Sequence, residues 1–559
     1  MMSGISGSKD PIIDLPQGIV EGVLLQSREC RDYFGFYGIP FAKRCPERFQ
    51  PPERWEKWSG LLDGKKPRER CAQASLITRR VLGSEDCLFL NVFTPQLPSG
   101  KNKRSPNSIS STNGLPVMVF IFGGGYYVGG GDLYGGKYLI DQDVILVTFN
   151  YRLGAFGFLN SGDGQVGGNM GMKDQVMCLR WVQENISYFG GDKDNVTLFG
   201  ESAGAACVHF HLMSPMSKGL FHRGIMQSGN ALSPWAFTKR PEQKVRDLVK
   251  QLGIECDLTD MTEMVKVLKE VNPYAIAAQR MDFTEWKEQP LIAFTPSAES
   301  GPPSDHTFLA DCPLDVVKSN RFATQVPLMM GVNAQEGAYR AIPLLQNPSR
   351  LQAANSAWFD EAPKHLIYDK SSLPTGNEFA SAVRKFYFGD KLISPESRGR
   401  LIDMFSDRFF IHSTKTTALY HASFQTEENP IFLYFFDYHG EFSYLNSFGI
   451  LETYGATHAD ELQYIMNQKI FYSNIVKGTE DDYMIGKMSE MWANFGKIGN
   501  PKHSSSNTWE PLGRHIVPTS PEERRSLKYY HISKTGSKMI DEPFKSRMAF
   551  WESLQCDDF

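Results

Sequence analysis

The chain has 559 residues, a net charge of −4 and 41% hydrophobic residues. Its positive and negative residues are interspersed, which predicts no nucleic-acid-binding surface, and no run is long and apolar enough to cross a membrane. No linker divides the chain, and large α/β domains reach this length through insertions, so residues 1–559 are predicted to form one domain.

The termini and the cysteines bear on the compartment. Residues 1–21 lack the uninterrupted apolar segment of a signal peptide, and residues 554–559 carry no ER-retention or prenylation signal. The cytoplasm is therefore expected if Met1 is the true start, and an extracellular location if the chain is a processed form. Cys71 and Cys87 would close a loop if oxidised but would stay thiols in a reducing compartment. No Cys/His cluster has zinc-ligand spacing, so neither a metal nor a cofactor is expected.

The first part of the chain indicates a sheet with one antiparallel edge. Residues 18–42 alternate in polarity, as short antiparallel strands do. The apolar runs at 116–122 and 144–149 are typical of parallel strands buried on both faces. A further strand at 87–93 and a helix at 174–184 complete this part.

The segment 200–204, Gly-Glu-Ser-Ala-Gly, lies between two contrasting stretches. Residues 195–199 are β-branched and aromatic, as in a buried strand, whereas residues 205–208 are small, as in a helix close to a sheet. G-x-S-x-G between a strand and a helix is typical of the nucleophile elbow, which holds a serine in a strained, exposed turn. The motif alone is weak, and an ordinary glycine turn is the alternative. The flanking context predicts Ser202 as a nucleophile.

Later apolar runs continue the same pattern. Strands are predicted at 224–229, 327–332 and 431–436, the amphipathic residues 245–271 predict a helix, and residues 340–430 predict helical insertions above the sheet. The alternation of strands and helices predicts a doubly wound α/β sheet.

A serine nucleophile needs a histidine base and a carboxylate that orients the histidine. In elbow folds the acid and then the histidine follow the serine. Glu336 is the only carboxylate in the loop after one core strand, although an exposed loop residue is an equal alternative from spacing alone. His458, in a turn of small residues, is favoured as the base over His439. His209 and His211 are predicted to be packed in the helix after the elbow.

A glycine run supplies donors for a reacting oxyanion. Residues 122–126, Phe-Gly-Gly-Gly-Tyr, end a core strand, where elbow folds carry an H-G-G-G-type motif. Glycine backbone can approach a carbonyl closely. The run lacks the lysine of a phosphate-binding P-loop.

Over nearly its whole length the chain resembles the type-B carboxylesterase and cholinesterase family of α/β-hydrolases. The stretches that carry the resemblance are 34–41, 85–92, 150–154, 168–171, 174–175, 189–192, 200–204, 228–230, 335–337 and 458–461. The family implies a large, mostly parallel sheet with helices on both faces and helical insertions over the active site. One departure is Phe122, because the family usually has histidine or tyrosine before the three glycines.

Carried over residue by residue, the resemblance assigns the site. It implies Ser202 as nucleophile, Glu336 as acid and His458 as base. It implies oxyanion donors at Gly124, Gly125 and Ala203, and substrate contacts at Trp235, Phe294 and Tyr126. Ordinary aromatic packing is the alternative for each of the last three.

The resemblance implies a serine carboxylic-ester hydrolase, most like insect carboxylesterases. Small neutral carboxyl esters are the expected substrates, in detoxification or in the turnover of hormone or odorant esters, and organophosphates are the expected inhibitors. Juvenile-hormone esterases typically have glutamine at the position of Glu201, which argues against that specialisation. The alternatives are a cholinesterase and a non-catalytic adhesion or scaffold protein, which typically lacks the serine or the histidine.

Overall fold

The structure is a computed structural model that describes residues 10–43, 47–75, 78, 80–98, 114–279, 294–368, 376–468, 474–504, 508–513 and 527–554. Its strands are β1 (Ile12–Leu15), β2 (Gly18–Glu21), β3 (Val23–Gln26), β4 (Asp32–Pro40), β5 (Ala42–Lys43), β6 (Glu53–Arg54), β7 (Leu61–Asp63), β8 (Gln73–Ala74), β9 (Val81–Leu82), β10 (Phe89–Thr94), β11 (Leu115–Ile121), β12 (Ile145–Phe149), β13 (Gly191–Glu201), β14 (Arg223–Gln227), β15 (Leu328–Asn333), β16 (Ile431–Asp437), β17 (Lys528–Ser533) and β18 (Gly536–Asp541).

The helices lie between these strands, except the last, which follows β18. They are α1 (Gly154–Phe158), α2 (Met170–Asn185), α3 (Ala203–Met213), α4 (Pro241–Gln251), α5 (Met261–Glu270), α6 (Pro273–Ala278), α7 (Pro313–Lys318), α8 (Ala338–Leu345), α9 (Pro348–Ser356), α10 (Trp358–Leu366), α11 (Gly376–Phe388), α12 (Arg398–Ser406), α13 (His412–Phe424), α14 (Glu480–Ile498) and α15 (Lys545–Ser553). Within the described ranges, no helix combines the length and the apolar character needed to cross a membrane.

One large sheet organises the fold. Its strand order is β18-β17-β16-β15-β14-β13-β11-β12-β10-β4-β3. The strands from β12 to β17 pair in parallel, while β10, β4 and β3 at one edge and β18 at the other pair antiparallel. Helices cover both sides of this mixed sheet. The predicted α/β-hydrolase fold is therefore confirmed.

The central strands show why apolar runs predicted them. β11 and β12 are parallel neighbours with Val117 opposite Ile145, and every residue of β12 is buried. A strand covered on both faces has no solvent side, so it needs apolar residues at successive positions rather than at alternate ones.

The insertion predicted at 340–430 contains α8 to α13. The prediction of a single helix at 245–271 was wrong. That segment forms two helices, α4 and α5. Gly253 has φ +66°, and the Asp260 side chain accepts hydrogen bonds from the Thr262 and Glu263 N–H groups at the start of α5. A positive φ interrupts a helix, and an N-terminal aspartate starts a new one.

Candidate active site

The elbow forms at the junction that the sequence predicted. β13 ends at Glu201 and α3 begins at Ala203. Between them, Ser202 has φ 57° and ψ −123°, a strained backbone conformation for a residue with a side chain. Its N–H donates to the carbonyl of Gln227 on the neighbouring strand at 2.8 Å, which ties the turn to the sheet.

Two glycines make the elbow sterically possible. A Cβ atom on Gly204 would lie 2.0 Å from the carbonyl oxygen of Ile121, and one on Gly200 would lie 2.5 Å from the backbone of Gly204. Real Cβ atoms do not approach backbone so closely. The helix can therefore cross tightly over the end of β11 only because both side chains are absent.

Glu336 and His458 are in contact. Glu336 Oε2 lies 2.7 Å from His458 Nδ1, and both side chains are buried. The other carboxylate oxygen accepts the Asn333 N–H at 2.7 Å and the Ser228 hydroxyl. The carboxylate is therefore fixed on both sides and holds one orientation of the imidazole.

Aromatic rings fix the plane of this imidazole. The His458 ring lies 4.6 Å from the ring of Phe410 and 5.2 Å from that of Tyr339, at angles of 32° and 30°. Trp235 packs against Phe410 at 5.9 Å. The base is therefore held by packing as well as by its hydrogen bond.

The second imidazole nitrogen faces the elbow. His458 Nε2 lies 3.1 Å from Oε1 of Glu201, the residue before Ser202. Burial raises the pKa of Glu201 to about 8. Burial alone lowers the pKa of His458, but the negative charge of Glu201 and the hydrogen bond with Glu336 outweigh it and raise this pKa to about 9.

A further buried carboxylate, that of Glu461, is connected to Glu336 through Asn333. Glu461 accepts hydrogen bonds from Gln227 Nε2 at 3.0 Å and from Asn333 Nδ2 at 2.5 Å. Trp492 Nε1 donates to Gln227 Oε1 at 3.0 Å. Burial raises the pKa of Glu461, and the charge of Glu336 raises it further. This network connects β14, β15 and the turn that carries His458.

The candidate oxyanion donors lie on a tight turn and a helix start. Gly124 and Gly125 have φ +106° and +64°. The Gly124 carbonyl accepts the N–H groups of Tyr127 and Val128, both at 3.2 Å. Among the residues that the structure describes, the N–H groups of Gly124, Gly125 and Ala203 find no acceptor. They are therefore available to a ligand.

The unusual Phe122 is held by stacking. Its ring lies 4.4 Å from the ring of Tyr151 at an angle of 20°, and the Tyr151 hydroxyl donates to the Phe122 carbonyl at 2.8 Å. The strand end before the glycines is thus anchored without a polar side chain at position 122.

The three predicted substrate contacts differ in their surroundings. Trp235 is 5% exposed. A Cβ on Gly229 would lie 3.0 Å from the Trp235 ring and 2.4 Å from the Ser202 carbonyl oxygen. The Trp235 ring therefore lies beside the elbow. Phe294 is half-buried against the core. Tyr126 is fully buried and packs edge-on against Phe158 at 5.1 Å, so it is a core residue in this structure and does not line an opening.

The three other histidines considered in the sequence have structural partners. His439 Nδ1 lies 3.1 Å from the Gly455 carbonyl. His209 pairs with His421 at 2.9 Å, and His211 contacts Gln175 at 2.8 Å. The prediction that His209 and His211 are packed is confirmed, since both are fully buried. No group of three or more His, Cys, Asp or Glu side chains that could hold a metal ion occurs in the described part of the chain.

Comparison with known proteins identifies the family. A model described as the carboxylesterase family matches residues 9–551. Esterase E4 of Myzus persicae is 35% identical over 92% of this chain and 90% of its own length. A juvenile hormone esterase of Tribolium castaneum is 34% identical over 97% and 93%. The chain belongs to the carboxylesterase family.

A solved structure extends the comparison. The crystal structure of juvenile hormone esterase from Manduca sexta, with OTFP covalently attached, matches with a TM-score of 0.83 and 28% identity over 98% of this chain and 99% of that one. The fold and the relatives make this member of the family a serine carboxylic-ester hydrolase.

Sequence reasoning missed three polar residues of the site. Glu201 entered only because juvenile-hormone esterases typically have glutamine at its position. Ser228 and Glu461 entered only as parts of the stretches that resemble the family. The available signal was position, because Ser228 follows β14 just as Ser202 follows β13, and strands that run parallel end at the same edge of a sheet.

Proposed function

We propose that this enzyme hydrolyses small neutral carboxyl esters through an acyl-enzyme on Ser202. The observation that carries the proposal is the buried contact between Glu336 and His458, whose second nitrogen lies 3.1 Å from Oε1 of Glu201, the elbow residue before Ser202. Such a carboxylate, imidazole and serine at a strand-to-helix turn match the chemistry of acyl transfer. The presence of all three residues favours an enzyme over a non-catalytic scaffold protein.

In the proposed acylation, Ser202 Oγ attacks the ester carbonyl carbon and His458 Nε2 takes the hydroxyl proton. The Gly124, Gly125 and Ala203 N–H groups donate to the oxygen that becomes negative. When the tetrahedral intermediate collapses, the C–O bond to the alcohol breaks and His458 returns the proton to the leaving alcohol. Glu336 stabilises the imidazolium throughout.

In the proposed deacylation, a water molecule takes the place of the alcohol. His458 accepts its proton while the water oxygen attacks the acyl carbon, and Ser202 leaves with that proton as the carboxylic acid is released. Organophosphates are proposed inhibitors because their phosphorus adduct on Ser202 presents an oxygen to the same N–H donors.

The proposed substrate class is argued from two aromatic residues and from Glu201. Trp235, beside the elbow, and Phe294 are proposed contacts of the acyl group. We favour general carboxylester turnover, such as detoxification or the degradation of hormone or odorant esters, over a dedicated juvenile hormone esterase. The reason is Glu201, since those enzymes typically have glutamine there.

The compartment stays a prediction. A cytoplasmic location is the proposal, and an extracellular one is the alternative. The structure contains a disulfide between Cys71 and Cys87, and disulfides persist mainly in oxidising compartments. The redox state of this pair in the native protein decides between the two locations.

The test of the proposal removes the nucleophile. Ser202→Ala should fold normally and lose turnover of a neutral ester by about a million-fold, the scale of a lost triad nucleophile. A phosphonylating reagent should label the unmodified enzyme once per chain, at Ser202 by peptide mass analysis. Near-normal turnover of the variant, or labelling at Ser228, would contradict the assignment.

A matched pair of histidine variants tests the base. His458→Ala should abolish turnover, whereas His439→Ala, which removes only a contact with the Gly455 carbonyl, should keep most of it. The opposite result would mean that the other imidazole is the base.

A further inference from the structure

The disulfide-closed segment touches the glycine turn through one buried side chain. Gln73, on β8, is 4% exposed. Its Nε2 donates to the Gly129 carbonyl at 2.7 Å and to the Cys71 carbonyl at 2.9 Å, and its Oε1 accepts the Gly129 N–H at 2.8 Å. Because a backbone N–H only donates and a carbonyl only accepts, these bonds fix the orientation of the amide.

Gly129 lies directly behind the candidate oxyanion donors. It has φ +129°, and a Cβ there would lie 2.3 Å from the Phe122 ring and 3.0 Å from the Gly123 carbonyl. The turn between is closed on itself, because a Cβ on Gly124 would lie 2.2 Å from the Val128 carbonyl. A displacement of Gly129 would therefore move the backbone of Gly124 and Gly125.

The chain on either side of this turn has separate anchors. Asp132 forms a two-point ion pair with Arg70, both bonds at 2.7 Å, and the Gly131 N–H donates to Asn150 Oδ1 at 2.9 Å. On the other side, the Tyr151 hydroxyl holds the Phe122 carbonyl. Loss of the Gln73 amide would therefore release Gly129 but leave the ends of the turn in place.

We infer that Gln73 is a positioning residue for ester hydrolysis, which acts by holding Gly129 so that the Gly124 and Gly125 N–H groups point at the oxyanion. The inference rests on the proposed function. Gln73 touches neither the substrate nor the reacting atoms. The donors matter most when the carbonyl oxygen carries its negative charge, so Gln73 affects the transition state more than substrate binding.

The first test replaces the amide by an apolar side chain of similar length. Gln73→Met should lower kcat by about 10- to 100-fold, since a misplaced oxyanion donor costs up to that factor, while KM changes by less than about threefold. Affinity for a trifluoromethyl ketone, which forms a tetrahedral adduct, should fall by the same factor as kcat/KM. Active-site titration with a phosphonylating reagent should count the same number of folded sites as in the unmodified enzyme.

A second variant tests the hydrogen bonds themselves. Gln73→Glu keeps an acceptor for the Gly129 N–H, but its carboxylate cannot donate to the Gly129 carbonyl. The acid form can donate, so the activity deficit relative to the unmodified enzyme should shrink as pH falls, whereas the deficit of Gln73→Met should not.

The control is another glutamine whose amide also donates to two backbone carbonyls, away from the glycine turn. Gln183 Nε2 donates to the carbonyls of Lys193 and Leu220, so Gln183→Met should keep full kcat. Unchanged kcat in Gln73→Met, or a loss explained entirely by fewer titratable sites, would overturn the inference. Ser202→Ala is measured in the same assay. If it is inactive, unchanged kcat in Gln73→Met overturns only the role of Gln73. If Ser202→Ala is active, the proposed function itself is overturned.

Discussion

His458 lies between two carboxylates that act on it differently. Glu336 contacts Nδ1 from the side away from the elbow, and its other oxygen is already held by the Asn333 N–H and the Ser228 hydroxyl. Glu201 contacts Nε2, the nitrogen that would exchange a proton with Ser202. Glu336 therefore orients the ring, whereas Glu201 acts on the affinity of the reacting nitrogen for its proton.

This arrangement predicts the pH dependence of the enzyme. His458 must be neutral to accept the serine proton, and its pKa is raised to about 9, so kcat/KM should fall as pH drops from the alkaline range, well above the value of about 6.5 for a free imidazole. Glu201→Gln removes a negative neighbour of the imidazolium. The pKa of His458 should then fall, and the acidic limb should move by about one unit or more toward lower pH.

The matched control uses another carboxylate and histidine in contact. Glu490 Oε2 lies 3.0 Å from His503 Nε2, on an element that carries no proposed catalytic group. Glu490→Gln should leave the kcat/KM profile unchanged. An acidic limb at the same pH in Glu201→Gln and the unmodified enzyme would show that Glu201 does not set the pKa of the base.

At the scale of elements, the site depends on how closely α3 crosses the sheet. A Cβ on Gly204 would lie 2.0 Å from the Ile121 carbonyl, so Gly204→Ala should move the helix away from β11. We expect a loss of about 3 kcal/mol or more in the free energy of unfolding, at the upper end for overpacked cores, together with loss of turnover. Urea denaturation measures the first quantity.

Gly486, in the middle of α14, is the matching control. A Cβ there would meet no atom within 4 Å, and alanine favours a helix over glycine by about 0.5–1 kcal/mol. Gly486→Ala should therefore stabilise the protein and keep full activity. Equal effects of the two substitutions would mean that the approach at Gly204 does not limit the fold.

Strands were predicted correctly where burial on both faces alone determines the pattern of apolar residues. The strands β11, β12 and β16 have continuous apolar runs because both of their faces are covered. The hairpin of β17 and β18 was missed, because Lys528, His531 and Lys538 interrupt its apolar pattern at the sheet edge. An edge strand is partly exposed, so polarity does not distinguish it from a loop.

At the scale of the whole molecule, the sequence could predict the types of group at the site but not all of their contacts. The elbow at Ser202 follows from five consecutive residues together with the strand and helix patterns that flank them. The bond between Ser228 and Glu336 spans 108 positions, and that between Gln227 and Glu461 spans 234. Such contacts depend on strand order and register, which local patterns do not specify.

The aromatic residues that the whole chain brings near the site determine which alcohol groups the enzyme accepts. Recognition of a quaternary ammonium relies on aromatic faces, each contributing on the order of 1 kcal/mol or more once desolvated. In cholinesterases, the loop between the first paired cysteines supplies such a face. Here residues 72–86 contain no Trp, Tyr or Phe, and Tyr126 is buried in the core.

One of the two aromatic rings packed against the base, that of Tyr339, has a cation beside it. Tyr339 stacks on His458, and the buried Arg340 guanidinium hydrogen-bonds to the Tyr339 side chain. A positive alcohol group on that ring would meet like charge, so neutral esters should be preferred. The comparison compound is the uncharged thioester in which carbon replaces the ammonium nitrogen of butyrylthiocholine. We expect kcat/KM for butyrylthiocholine to be at least about tenfold lower than for this thioester. A loss of about 1.4 kcal/mol of cation binding corresponds to that factor. Equal or higher efficiency on the choline ester would place the enzyme with the cholinesterases.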